Sequence, residues 1–165
     1  MTVPPLTSDE ELLWRSLMRL VFLLPRALDE DLQRTCGLSS TQYSVLMHLS
    51  ESPDRRLRMS DLAGRCGLSP SRITRVIDQM SAEGLVERRR PESSDGRSTL
   101  AVLTKRGMST LRRAWPHHIR SVRALAFDHL TADETRAFGH VLERLAEHLD
   151  TPRWSTPSFP GHRNH

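Results

Sequence analysis

Long apolar runs are missing from this chain: nothing in its 165 residues approaches the roughly 20 needed to span a bilayer. Cysteine is nearly absent. Cys36 and Cys66 are the only two and lie far apart, which is no disulfide framework. The N-terminus, MTVPPLTSDEELL, has no positive region followed by an apolar stretch, so no secretory leader is expected. Catalytic signatures fail to appear as well. No nucleophile, base and orienting group stand in a telling spacing, and no Gly-rich loop cradles a phosphate. The eight histidines include the adjacent pair His117-His118, which point to different helix faces, and neither HExxH nor CxxC occurs. These absences predict a cytoplasmic chain that is not an enzyme, needs no cofactor or metal and has no membrane partner.

What is present is positive charge in one place. Residues 55–113 hold fourteen Lys+Arg against six Asp+Glu, or +8, whereas the remainder holds ten against fourteen, or −4, giving the net +4 of the whole. A basic segment inside a nearly balanced chain is expected of a surface that meets phosphates. The basic residues are almost all arginine, Lys105 being the one lysine.

That basic segment also carries the clearest structural punctuation. Ser60 is placed to cap a short helix with Leu62, Ala63 and Cys66 facing inward, and Gly67 to end it. Ser69 caps a second helix whose first position is Pro70, where a missing N–H costs nothing. Ile73, Val76, Ile77 and Met80 then recur with helical period as one buried stripe. The opposite face shows Ser71, Arg72, Thr74, Arg75 and Gln79, all able to hydrogen-bond to phosphates or base edges. Gly84 ends this helix. Two extended runs follow, Leu85–Arg90 and Ser98–Thr104, joined by a polar loop containing Asp95-Gly96. Helix, tight turn, helix and basic hairpin predict a winged helix-turn-helix rather than a plain helical hairpin.

At these residues the chain resembles the MarR family of bacterial transcription regulators. The likeness rests on Asp95-Gly96-Arg97 running into Leu100, Val102, Leu103 and Thr104, on Leu68-Ser69-Pro70-Ser71-Arg72-Ile73-Thr74-Arg75, and on Gly84-Leu85-Val86 before an arginine-rich strand. Its specific motifs lie between residues 60 and 107, and its layout extends over about residues 8 to 149. The resemblance implies a homodimer held by N- and C-terminal helices, with one winged lobe per chain, that regulates transcription from double-stranded DNA. It is expected to act as a repressor on a pseudo-palindromic operator and to be released by a small aromatic or phenolic ligand.

The flanking segments carry the apolar surface such a dimer needs. Ser8 with Glu11 reads as a capping box opening a long helix to Cys36, with Gly37 as its cap and Pro25 as a kink or a lost bond. Leu13, Leu17, Leu20, Leu24 and Leu28 form its stripe, widened by Leu12, Val21 and Phe22. Ser39 and Gln42 open a helix to about Glu51 carrying Tyr43, Leu46 and Leu49, and Leu57–Met59 reads as a short strand closing the wing. Thr104 caps a helix to about His129 with Met108, Leu111, Trp115, Ile119, Val122 and Ala126 on one face and Pro116 inside it. Thr131 and Glu134 open the last helix, with Phe138, Val141, Leu142, Leu145 and Leu149. The predicted fold is mainly α with a small β-wing. Residues 1–7 are a loose end, 8–150 a single domain and 151–165 a flexible tail. The winged core spans about 39–104, between dimerisation helices at about 8–36 and 105–150. Apolar stripes on all three flanking helices favour a dimer over an intramolecular bundle.

The DNA-contacting assignments follow from position. The second helix, 69–83, enters the major groove and the wing, 88–98, lies in or near the minor groove. Ser71, Arg72 or Arg75 reaches base edges, Ser69 and Thr74 meet phosphate, and Gln79 lies on the same face. Arg97 at the wing tip suits a narrow minor groove. The resemblance gives Asp95 a supporting role in orienting the arginines. Arg88, Arg89 and Arg90 hold the wing to the phosphate backbone, or one of them pairs with Asp95; the sequence does not choose. Trp14 either lines a ligand pocket or belongs to the dimer core. Two other readings stand beside this one: a winged helix that docks protein without a specific DNA site, and a cysteine-based redox sensor using Cys36 or Cys66. A buried structural role suits Cys66 better.

Overall fold

The computed structural model describes residues 4–90 and 99–149. The expected loose N-terminal residues 1–3, the loop with Asp95 and Arg97, and the tail 151–165 lie outside the described residues. The described chain contains six helices and three strands: α1 (Ser8–Cys36), α2 (Ser40–Glu51), β1 (Arg56–Arg58), α3 (Met59–Arg65), α4 (Pro70–Ala82), β2 (Val86–Arg89), β3 (Leu100–Leu103), α5 (Lys105–Leu125) and α6 (Ala132–Leu149). This is the mainly α architecture with a small antiparallel sheet that the sequence predicts.

Most helix ends are set by the residues that the sequence singles out, with instructive shifts. The capping box of α1 is made by Thr7 and Glu10, not Ser8 and Glu11. Thr7 has the extended backbone a cap requires, which leaves Ser8 already helical. The Ser39–Gln42 and Thr131–Glu134 boxes form as expected. Ser60 does not cap α3. The helix begins one residue earlier, at Met59, because the chain leaves β1 straight into helix, and Ser60 donates to Asp61 instead. The β1 strand is accordingly Arg56–Arg58 rather than Leu57–Met59. The α5 helix stops at Leu125, short of His129: Ala126 leaves helical geometry at φ −135° and a 3-10 turn, Phe127–His129, follows. Pro25 and Pro116 both sit inside continuous helices.

Two glycines finish α3 and α4 in the same way. Gly67 and Gly84 adopt φ of +63° and +70°. Behind each, one N–H reaches back to the carbonyl five residues earlier: Leu68 to Ala63 and Leu85 to Met80, both at 2.9 Å. These bonds satisfy the last carbonyls of each helix and turn the chain sharply.

The sheet has the order β1-β3-β2, with β3 antiparallel to both neighbours. Val86 faces Leu103 and Arg88 faces Ala101 across the ladder. Since Val86, Ala101 and Leu103 are buried, this is the inward face of the sheet. The core gathers Leu32, Leu38, Leu46, Leu49, Leu62, Ile73, Ile77 and Met80 with these strand residues and with Leu111 and Ala114 of α5. Only Leu32 of α1 joins it fully, and no residue of α6 is buried.

The apolar stripes of the flanking helices are therefore uncovered. Leu13 is 63% exposed and Phe22 73%, and Trp115, Ile119, Phe138, Leu142 and Leu145 are exposed as well. On α5 the core-facing side is Gly107, Leu111 and Ala114, so Trp115 and Ile119 turn away from the lobe rather than into it.

The wing is fastened to α5 at one crowded point. Thr104 caps α5 by accepting from Gly107 N–H at 2.9 Å, while its hydroxyl donates to the carbonyls of Gly84 and Leu85. A β-carbon on Gly107 would collide with the Leu85 carbonyl oxygen and come within 2.8 Å of the Leu103 side chain. Backbone cannot step aside as a side-chain tip can. Gly107→Ala is expected to cost about 2–3 kcal/mol of stability, at the upper end for overpacking, measured by urea unfolding. A loss below about 0.5 kcal/mol, the level of a neutral surface change, would show that the junction relaxes freely.

Candidate nucleic-acid interface

The second helix of the turn, α4, presents two distinct faces. Ile73, Ile77 and Met80 are buried, with Val76 half-buried beside them. Ser71, Arg72, Arg75 and Gln79 are exposed. Ser69 holds the start of the helix: its hydroxyl accepts from Arg72 N–H at 3.4 Å, and Pro70 occupies the first helical position. The hydroxyls of Ser69 and Ser71 lie 3.2 Å apart. Free N–H groups and the positive end of the helix dipole favour an anion at this end. Arg72 and Arg75 have no partner among the described residues and carry no acidic neighbour in the first turn. Thr74 is half-buried, and its hydroxyl donates to the Pro70 carbonyl at 2.8 Å. Its only proton is thus already engaged within the helix, and phosphate oxygens can only accept. Gln79 bonds Glu83 at 3.1 Å.

The three arginines of the wing separate by strand parity. Arg89 lies on the outward face and pairs with Glu87 of its own strand, at 2.8 Å. Arg88, on the inward face, crosses to α4 and pairs with Asp78 at 2.5 Å. Arg90 is exposed beyond the end of β2. Arg88 and Arg89 thus each meet a carboxylate other than Asp95, which lies outside the described residues. Alternation along β2 is the signal that separates Arg88 from Arg89, though it does not name Asp78 as the partner.

A second feature, also unanticipated, is a cavity of about 610 Å³ between α1 and α5, lined by Asp31, Arg34, His117, Arg120, Ser121 and Leu125 among others. Ser121 donates to Asp31, which also pairs with Arg34. The Ser121 hydrogen bond, then Arg34, holds the Asp31 carboxyl below its ordinary range. Trp14 is exposed and does not line this cavity. His118, the neighbour of His117, turns the other way and stacks on Tyr43 with ring centroids 4.4 Å apart. Burial raises the Tyr43 hydroxyl to about 12 and the Cys66 thiol to about 11. Among the described residues no group of His, Cys, Asp and Glu is arranged to hold a metal ion, and no helix is long and apolar enough to cross a membrane.

A helix-turn-helix backed by a three-stranded wing, with unpaired arginines along its second helix, defines a winged-helix DNA-binding protein. Comparison with known proteins makes the class specific. The MarR family pattern matches residues 37–98. A MarR family transcriptional regulator from Streptomyces coelicolor, crystallised in complex with DNA, is 36% identical, with a TM-score of 0.85 over 94% of this chain and 97% of the other. The homoprotocatechuate degradative operon repressor of Escherichia coli is 33% identical over 66% of this chain and 71% of its own length. The PcaV regulator of S. coelicolor, solved with its natural ligand, is 28% identical with a TM-score of 0.63, covering 89% of this chain and 98% of the other. The chain belongs to the MarR family of transcription regulators, as the motifs around Asp95-Gly96-Arg97 and Ser69-Pro70 imply.

Burial sets a pH dependence on this lobe. Desolvation lowers the pKa of His48 and of His118 from the ordinary 6.5. The unfolded chain therefore binds more protons than the folded one as pH falls through 6.5, and stability must fall with it. The contribution is fully present above 6.5 and is lost towards the depressed folded values. Thermal unfolding from about pH 7.5 to about pH 5 should show a falling Tm, with the His118 ring signals titrating below 6.5 in NMR. A flat Tm across that window would contradict the burial of both rings.

Proposed function

We propose that the protein is a repressor that binds a pseudo-palindromic operator as a homodimer, with α4 in the major groove and the wing in or near the minor groove, and that a small aromatic ligand releases it. It acts by binding, not catalysis. The observation that carries this reading is the exposed face of α4: Arg72 and Arg75 stand without a partner among the described residues, beside exposed Ser71, at the N-terminal half of a helix whose other side is locked into the core. That half is where a recognition helix reads base edges. Ser69 supports the phosphate contact at the helix start, with Gln79 on the same face and Thr74 bonded within the helix behind it, while Arg90 and the wing-tip pair Asp95 and Arg97 extend the contact along the groove. A protein-docking wing would be expected to be apolar at its centre, and this face is basic.

The dimer rests on the uncovered stripes of α1, α5 and α6, which exceed what one small lobe can bury. Two such lobes would present two α4 helices about one DNA turn apart. For the ligand, the name of the E. coli relative ties it to an aromatic compound, and the PcaV neighbour was crystallised with its natural ligand. The α1–α5 cavity is of a size that suits a small molecule. Arg120 in its lining has no ion-pair partner among the described residues and would take a carboxylate. Trp14 would then serve the dimer core. A thiol sensor at Cys66 is disfavoured, because burial holds that sulfur as a thiol rather than the reactive thiolate.

Light scattering should return about twice the 18.8 kDa of one chain at micromolar concentration; a stable mass of one chain would refute the dimer. The roles of the two DNA-contacting parts separate by mutation. Arg75→Ala should cost about 1–3 kcal/mol on the operator and much less on random DNA. Arg97→Ala should weaken both and lower the salt slope by about one. Measured by fluorescence anisotropy, the reverse pattern would show that the two roles are exchanged.

A further inference from the structure

The wing meets α4 through one ion pair whose position suggests more than surface decoration. Asp78 lies three residues after Arg75 and seven after Ser71, so it belongs to the DNA-facing stripe of α4. A carboxylate in that stripe would repel the phosphates that the neighbouring arginines attract. Opposite it, Arg88 stands on the inward face of β2, in line with buried Val86 and paired in register with buried Ala101. Its stem is thereby directed over the helix, and its guanidinium reaches Asp78 at 2.5 Å. The two side chains are 39% and 55% exposed, so water screens the pair and its worth to folding is small. Its geometry is nonetheless fixed by the sheet register on one side and the core-locked helix on the other.

We propose that Arg88 is a positioning residue, not a phosphate contact: it neutralises Asp78 and fixes the angle between the wing and the recognition helix. This rests on the reading of α4 as the DNA-contacting helix. Arg88 contributes no net charge to DNA while Asp78 is present. Removing Arg88 alone uncovers a negative charge in the groove-facing stripe, and removing both restores electrical balance. Removing the Asp78 charge alone frees Arg88 to reach phosphate indiscriminately, which strengthens random binding and erodes selectivity.

The test is a double-mutant cycle on the full-length protein, using a duplex selected by the wild-type protein from a randomised library and a scrambled version of it. Arg88→Ala should weaken binding to the selected duplex by about tenfold or more, as expected for a mispaired charge at an interface. Adding Asp78→Asn should recover most of that loss. Asp78→Asn alone should tighten binding to the scrambled duplex and steepen its salt slope by about one. If the double variant binds as weakly as Arg88→Ala, Arg88 touches phosphate directly and the proposal is overturned. Should Arg88→Ala fail to fold, Asp78→Asn still decides: an unchanged ratio of selected to scrambled binding contradicts the proposal. A DNA-free arm separates this from the broader reading. The Arg88 Hη1 resonances should be protected from exchange in the free protein and lose that protection in Asp78→Asn. Its persistence would overturn the ion pair itself. A wild-type protein that shows the protected resonance but selects no duplex would instead sink operator recognition, leaving the pair established.

Discussion

The carbonyl oxygen of Leu85 is the point on which the described architecture depends. Its residue's N–H closes the end of α4 by bonding Met80, while the carbonyl itself accepts from both the backbone and the hydroxyl of Thr104, at 3.2 and 3.0 Å. Gly107 then packs against it with no β-carbon intervening. Three elements are thereby joined within a few ångströms: the end of α4, the base of the wing and the start of α5. A side chain at position 107, or a cap other than Thr104, would disturb the packing of α4 and the wing against the helices that follow.

The rest of the molecule is unequal in how it uses apolar surface. The winged lobe completes its own core, drawing on Leu32 from the last turns of α1 and on Leu111 and Ala114 from the first half of α5. Beyond those residues the flanking helices contribute almost nothing to it. The exposed leucines of the N-terminal half of α1 and the whole apolar stripe of α6 remain uncovered. A polar tie, Asp31 to Ser121, holds α1 against α5 where the apolar contact thins out. The helices are thus anchored at one end and uncovered at the other, the apolar surface on which the proposed dimer rests.

Much of this was legible in the sequence because local chemistry decides it. Ser69-Pro70, Ser39 with Gln42, Thr131 with Glu134, and the glycines at 37, 67 and 84 each place a chain direction through a hydrogen bond or a left-handed residue within six positions. The failures come where two local options compete. Thr7 and Ser8 both offer a capping oxygen, and the extended backbone at Thr7 decides between them. Ser60 offers a cap that the strand–helix junction at Arg58 pre-empts. The periodic face of α5 mixes two surfaces, since Leu111 is buried against the lobe while Trp115, one turn on, faces outward. Contacts between distant segments were less visible: the Arg88–Asp78 pair, the Asp31–Ser121 tie and the closeness of Gly107 to Leu85 depend on register and packing that no single window contains. The wing-tip residues Asp95 and Arg97 rest on the family motif.

The central claim is that two copies of α4 read two half-sites on one face of the duplex. Hydroxyl-radical and methylation footprinting on a duplex selected by the protein tests it directly. The account predicts two protected major-groove segments whose centres lie about 10 base pairs apart, related by a dyad. Minor-groove protection should flank them where the wings fall. A single protected segment, or uniform protection without a dyad, would contradict it.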